Sequence, residues 1–290
     1  MNPREALRHH AQAWVEPLLA RAARAYVPGP RLEDALSWVP RLQAQGMGVT
    51  LGYFNADAEP RQSVLAADLA AIDALTRAGI AGSHLSVKAP ALDHDEGTLH
   101  QLAAHAAAAG QILHFDAHGP QTAQPTLDAV RAVRPVHASL GITLPGRWRR
   151  SLKDAGDAAF DGLFVRVVKG QWDCPESPGQ DPRAGFLAVI ERLAGRPAPV
   201  AVATHDPTLA RAALERLRRT GTPCEIELLC GLPRTPVLAV AREFGTPVRL
   251  YLPFGQAWLP YAFGQVVRQP RLWGRLLIDA WEGRRMRSAG

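Results

Sequence analysis

Apolar, β-branched runs alternate along the chain with segments whose apolar residues recur every three or four positions. The runs are MGVTLGYF from Met47, HLSVKAP from His84, ILHFDAH from Ile112, VHASLGITL from Val136, GLFVRVVKG from Gly162, PVAVATHD from Pro199, CEIELLCG from Cys224 and VRLYLPF from Val248, with starts 24–37 residues apart. Between them lie stretches such as RQSVLAADLAAIDALTRAG and PTLARAALERLRRTG, which carry helical spacing. Eight alternations of strand and helix predict a parallel sheet closed into a (β/α)8 barrel of the TIM type. An open doubly wound sheet is the alternative, but it ordinarily carries a glycine-rich phosphate loop early on. The stretch NADAEPRQS after the first run has no such fingerprint. The barrel is expected over residues 46–290, and residues 1–45 are expected to form a helical segment packed on it.

The pattern is broken once, near the end. LYLPFGQAWLPYAFGQVV, residues 250–267, has no charge over eighteen positions. Pro253, Gly255, Pro260 and Gly264 interrupt it too often for a membrane span, so it reads as a buried strand, a corner and a helix lining a pocket.

Composition narrows the class. The chain has 290 residues, 47% of them hydrophobic, enough for one large core. Cys174, Cys224 and Cys230 form no CxxC spacing, which points to a reducing compartment and away from a structural zinc site. No signal-peptide pattern opens the sequence, so a cytoplasmic protein is expected. The net charge of +6 comes from arginines scattered over amphipathic segments, without a recognition motif, and nucleic-acid binding is not expected. Only three of the 33 basic residues are lysines: Lys88, Lys153 and Lys169. In an arginine-rich chain a retained lysine points to a need for a compact, tunable ammonium, although Lys153 lies in the exposed-looking helix RRSLKDAGD.

Barrel chemistry sits at the C-terminal ends of the strands. Those ends carry Lys88, Asp116 and His118, Arg166 and Lys169, Thr204, His205 and Asp206, Glu225 and Glu227, and Tyr251. Each alone suits a helix cap or a turn; together they imply a reactive rim, because crowding charges is costly without a purpose. Two chemistries use such a set. His114, Asp116 and His118, with His205 and Glu227, would ligate a divalent metal in a hydrolase or isomerase. Alternatively, Arg166, Lys169 and the Gly170 turn would hold an anionic planar cofactor, with the aromatics of YLPFGQAWLPY enclosing an apolar substrate. The two cations beside apolar walls favour the cofactor, with no metal.

At this point the segments resemble those of the flavin-dependent proline dehydrogenases, from about Tyr26 to Trp273. LSVKAPAL and HFDAH match the family's strand-two lysine and strand-three aspartate segments. FVRVVKGQW is similar to RLVKGAYW, VATHDP to a threonine–histidine segment, EIELLCGL to EFQMLYGM, and YLPFGQAWLPYAF to a strand-eight tyrosine, corner and aromatic helix. The resemblance implies a distorted (β/α)8 barrel with non-covalent FAD, oxidising proline or a related cyclic amine to an imine by hydride transfer. It implies Arg166, Lys169, Gly170, Thr204 and His205 on the cofactor. It places Lys88, Leu229 and Tyr251 on the substrate, and Lys88, Asp116, Arg166 and Tyr251 in catalysis. A membrane quinone is the acceptor it suggests, met at the inner face of the membrane.

The departures fall mainly on the substrate side. Gly264 and Gln265 stand where the family carries adjacent arginines that clamp the substrate carboxylate, and Arg268 replaces their acidic partner one turn later. Pro145, Gly146 and Arg147 replace a glutamine–alanine–tyrosine segment; Gln171, Trp172 and Cys230 are further changes. Losing a bidentate arginine–carboxylate contact weakens substrate binding, and Arg268 and Arg147 are the candidates to restore it. A flavin-binding barrel without catalysis and the metal-dependent hydrolase or isomerase are the alternative functions.

Overall fold

The computed structural model describes residues 28–80 and 82–257. Eight parallel strands close into a barrel in chain order: β1 (Gly48–Tyr53), β2 (His84–Lys88), β3 (Ile112–Asp116), β4 (Leu140–Pro145), β5 (Phe164–Val168), β6 (Val200–Ala203), β7 (Cys224–Leu229) and β8 (Val248–Phe254). β8 pairs with β1 over six residues, from Gly48 opposite Arg249 to Tyr53 opposite Phe254, which removes both sheet edges. Each predicted run contains one strand. The fourth begins later than its run, at Leu140, because His137 turns to hydrogen-bond the Gln111 carbonyl at 2.8 Å before the strand starts.

The outward residues of the strands are Val, Leu and Ile, such as Val49, Leu51, Leu85, Val165, Val202 and Leu250, all at most 1% exposed. They pack under the helices α3 (Arg61–Arg77), α4 (Glu96–Ala108), α5 (Ala123–Val133), α6 (Ser151–Asp154), α7 (Pro182–Leu193), α8 (Pro207–Arg219) and α9 (Thr235–Glu243). Two short helices, α1 (Leu32–Leu36) and α2 (Val39–Ala44), precede β1. Residues 1–27, the larger part of the expected N-terminal segment, lie outside the described residues.

Helix starts follow local chemistry. Asp95, Asp181 and Asp206 each accept backbone N–H bonds at the first turns of α4, α7 and α8. Each such cap contributes about 1 kcal/mol and sets the point where loop becomes helix. Asp206 is thus a capping residue, with Thr208 and Leu209 N–H at 3.1 Å. Among the described residues no helix is long and apolar enough to cross a membrane.

Candidate functional site

The lumen of this barrel is polar where such barrels are usually filled by branched aliphatics. Period-two alternation sends Ser86 and Lys88, His114 and Asp116, Thr143, Arg166, Glu227 and Tyr251 inward from six strands. Arg166 is the hub. Its Nε donates to Glu227 Oε2 at 2.7 Å and its Nη2 to Oε1 at 2.9 Å, a bidentate pair. Its Nη1 reaches the Asp116 carboxylate at 3.2 Å. Thr50 donates to Glu227 at 2.9 Å, and Ser86 and Thr143 donate to the two Asp116 oxygens. Arg166 and Glu227 are buried, whereas the Asp116 side chain is 20% exposed and faces the mouth.

Electrostatics follow from this packing. Burial alone would raise the Asp116 carboxyl; the Arg166 guanidinium and the two hydroxyls outweigh it and hold the group below its ordinary value. Burial pulls against the Arg166 charge, and Glu227 and Asp116 more than restore it. Tyr251 lies with its ring 5.3 Å from the Arg166 guanidinium carbon, edge-on to Phe54 at 6.4 Å, and burial pushes its phenol up. Gly52 makes room for it, since a Cβ there would fall 1.9 Å from the Tyr251 hydroxyl oxygen.

Lys88 is buried at the end of β2, opposite Asp116. Its Nζ donates to the Tyr53 carbonyl and sits 4.1 Å from the centroid of the Phe54 ring. Burial pushes its ammonium down; Asp116 and Asp68 oppose that shift. Asp68, on α3, was not anticipated. It occupies an apolar-face position by helical spacing, and the acidic residue in that stripe was the available signal.

The other candidates lie around the mouth. Lys169 is largely solvent-accessible, yet partial desolvation by its surroundings, and then the Arg183 charge, pull its ammonium down. Gly170 has φ +95°, and a Cβ there would meet those of Pro145 and Arg147 at 3.0 and 3.1 Å. Thr204 is buried and receives the Asp206 N–H at 3.2 Å. His205 donates from Nδ1 to the Pro233 carbonyl at 2.8 Å and accepts the Leu229 N–H at Nε2 at 3.0 Å, which fixes a neutral imidazole and ties β6 to the end of β7. Leu229, half-buried, stands beside Tyr251 in register.

Some expectations need correction. Glu225 is not on the rim; it lies a layer lower, paired with Arg249 at 2.6 Å beside His84, His114 and Phe164. The histidines proposed as metal ligands diverge: His114 bonds Thr143 inside the lumen, His118 belongs to the loop after β3 at φ +63°, and His205 is turned to Pro233. Among the described residues no three His, Cys, Asp or Glu side chains gather as a metal site. Arg147, a candidate carboxylate clamp, pairs with Asp173. Gly264, Gln265 and Arg268 lie outside the described residues, as does the second half of the uncharged stretch.

A closed (β/α)8 barrel with a charged lumen opening at the C-terminal strand ends is the class this geometry defines. Within it, the chain is similar in sequence to curated proline dehydrogenases. It is 25% identical over 266 residues to proline dehydrogenase 1 of Bacillus subtilis (strain 168), covering 86% of this chain and 87% of that protein. It is 23% identical over 265 residues to proline dehydrogenase 2 of the same strain, again covering 86% and 87%. The fold also matches proline utilization A from Bdellovibrio bacteriovorus inactivated by N-propargylglycine, with TM-score 0.74, 15% identity and 84% of this chain covered. Proline utilization A from Corynebacterium freiburgense matches with TM-score 0.69, 16% identity and 96% coverage. The chain spans 32% and 34% of those two longer proteins. No family model matches the chain.

Proposed function

We propose that this barrel is a flavin-dependent oxidoreductase of the proline dehydrogenase type, acting on proline or a related small cyclic amine to give an imine. Residues 46–290 would form the catalytic barrel and residues 1–45 a helical segment packed on it. The observation that carries the reading is the Arg166–Asp116–Tyr251 cluster at the mouth, built from the same segments that resemble the family.

The residues fit FAD by the chemistry of their donors. Lys169, just after β5, and Arg183, in the first turn of α7 and ion-paired with Asp206, bring positive charge to this part of the rim, where an anionic pyrophosphate would be attracted. Gly170 permits a close backbone approach that a side chain would obstruct. Arg166, Thr204 and His205 complete the proposed cofactor set. FAD, when bound, supplies the two-electron acceptor. The chain's own residues bind and orient: Asp116, kept ionised and partly exposed, faces the ammonium of an amine, and Tyr251 and Leu229 wall its ring. Lys88 and Arg268 are the proposed polar contacts on the substrate side. A membrane quinone as final acceptor, and a cytoplasmic location with access to the inner membrane face, belong to the same proposal.

A second reading, a flavin-binding barrel without catalysis, is favoured by the bidentate engagement of Arg166 with Glu227, which leaves that cation less able to stabilise a new negative charge. Anaerobic titration of the FAD-loaded protein with cyclic and acyclic amines and imino acids separates the two. Bleaching of flavin absorbance by proline or a cyclic amine is the expected result. Bound flavin that no amine reduces points to the second reading. A protein that takes up no flavin overturns both.

A further inference from the structure

His114 lies two residues before Asp116 on β3, on the same face and one layer deeper in the lumen. It is 0% exposed, and the flavin chemistry proposed above gives it no role. Its plane is fixed by its neighbours: the His84 ring stacks at 5.9 Å and the Phe164 ring meets it edge-on at 6.1 Å. Gly141, opposite it in register on β4, leaves room for the imidazole, since a Cβ there would fall 2.3 Å from Nδ1. A polar ring buried this firmly is costly unless its hydrogen-bonding atoms are used.

Its Nε2 meets the Thr143 hydroxyl oxygen at 3.0 Å. Thr143 has one hydrogen to give, and the Asp116 carboxylate, which only accepts, receives it. Arg166 Nη1, 3.4 Å from the same hydroxyl oxygen, only donates. His114 Nε2 therefore carries the imidazole proton and donates it to Thr143. Burial, and after it the Arg166 charge, keep the ring neutral, so this tautomer persists. Donation runs in one direction, from His114 to Thr143 to Asp116, and each bond polarises the next. Ser86 and Arg166 bond the same carboxylate from β2 and β5.

We propose that His114 is a positioning residue for Asp116, acting through Thr143. It locks the Thr143 hydroxyl onto the carboxylate and so fixes the direction in which Asp116 presents its remaining lone pairs to an amine at the mouth. The use of Asp116 rests on the amine-oxidising reading above; the hydrogen-bond chain does not. The charged and titratable groups facing His114 are His84 from β2, Arg166 from β5 and Arg249 from β8. Those facing Asp116 are Arg166, Lys88 from β2, His118 from the following loop and Tyr251 from β8.

NMR on the full-length protein tests the chain at both ends. In 15N-histidine protein at neutral pH, with His114 assigned from His114→Phe, long-range 1H–15N correlations are expected to show a single neutral tautomer protonated at Nε2. A ring protonated at Nδ1 overturns the proposal. 13Cγ-aspartate spectra then follow the titration of Asp116, assigned from Asp116→Asn. Thr143→Val should raise its carboxyl by about one pH unit, and Thr143→Ser should restore it. His114→Phe should raise it by roughly 0.3 unit in the wild-type background and by nothing further in Thr143→Val. A merely structural role for His114 would not make its effect depend on the Thr143 hydroxyl. An Asp116 titration unmoved by either single variant, or a His114→Phe shift that persists in Thr143→Val, overturns the proposal. Should Thr143→Val not fold, Thr143→Ala takes its place, and the tautomer is read in the wild type regardless. No substrate or flavin enters these measurements, so their failure is distinct from failure of the flavin titration.

Discussion

Glu227→Gln is the substitution that isolates the charge balance of the lumen. It keeps the side chain's shape and one acceptor oxygen but removes the negative half of a bidentate pair at 2.7 and 2.9 Å. Arg166 is 4% exposed and Glu227 3%, so water cannot replace the lost charge. Breaking a buried pair by removing one partner costs ~3–5 kcal/mol when nothing else compensates. Here Asp116 at 3.2 Å keeps part of the compensation, and Thr50 can still donate to the amide oxygen. The expected loss therefore falls to or below the bottom of that range, about 2–3 kcal/mol, or roughly 5–8 °C in Tm for a chain of this size. Urea unfolding followed by far-UV circular dichroism measures it, with an unchanged denaturant slope as the check on two-state behaviour. Arg166→Met should cost more, because it leaves Glu227 and Asp116 without their cation together, and the double variant should recover part of that loss. A change within about 0.5 kcal/mol for Glu227→Gln would refute the reasoning, since that is the size expected of an ordinary surface substitution.

The remaining predictions concern pH and space. His84 and His114 are held neutral, their pKa values well below the ordinary range, by burial first and by Arg249 and Arg166 next. The unfolded chain binds these two protons near pH ~6.5 while the folded one does not, so stability is fully present above that pH and falls below it. Asp68, raised by burial, opposes this with one proton bound in the folded state. Stability should fall as the pH drops from about 6.5 to about 5, with the lowered His94, His118 and His137 acting in the same direction as His84 and His114, and a flat profile in pH-dependent urea unfolding would contradict it. Gly52→Ala would place a Cβ 1.9 Å from the Tyr251 hydroxyl oxygen and should displace that ring, at about 1–3 kcal/mol of stability; wild-type stability and an unmoved ring in a crystal structure of the variant would count against the packing described. Lys169→Met is expected to weaken FAD retention, measured by equilibrium dialysis, while leaving the melting temperature of the apoprotein within about 2 °C; equal retention would remove Lys169 from the cofactor set.

The candidate site was partly legible as residue types at strand ends. Lys88, Asp116 and Arg166 are inward-facing polar residues in otherwise apolar runs, and alternation alone assigns such residues to one face. Alternation says nothing about depth or partner. Glu225 and Glu227 share a face of β7, yet one pairs with Arg249 low in the barrel and the other with Arg166 above it, because strand tilt and shear decide which layers meet. His205 was legible as a polar residue at a strand end, but not that its ring closes a hydrogen-bond bridge between Pro233 and Leu229. Asp206 looked like chemistry and is a cap. Asp68 was hidden inside a helical stripe, where one carboxylate looks like an ordinary interruption of an apolar face.

The sequence by itself determined the architecture, because strand and helix periods are local and eight repeats of the same alternation have few ways to close. It also marked which residue types crowd the strand ends, and the segment resemblances tied them to one family. Only the tertiary structure decided which charges neutralise one another. Arg166 and Glu227 are 61 residues apart and Thr50 and Glu227 177 apart, and their contact exists only once β1, β5 and β7 enclose a common lumen. Side-chain charge is written in the sequence; its burial, and therefore its energy and its proton affinity, depends on what closes around it.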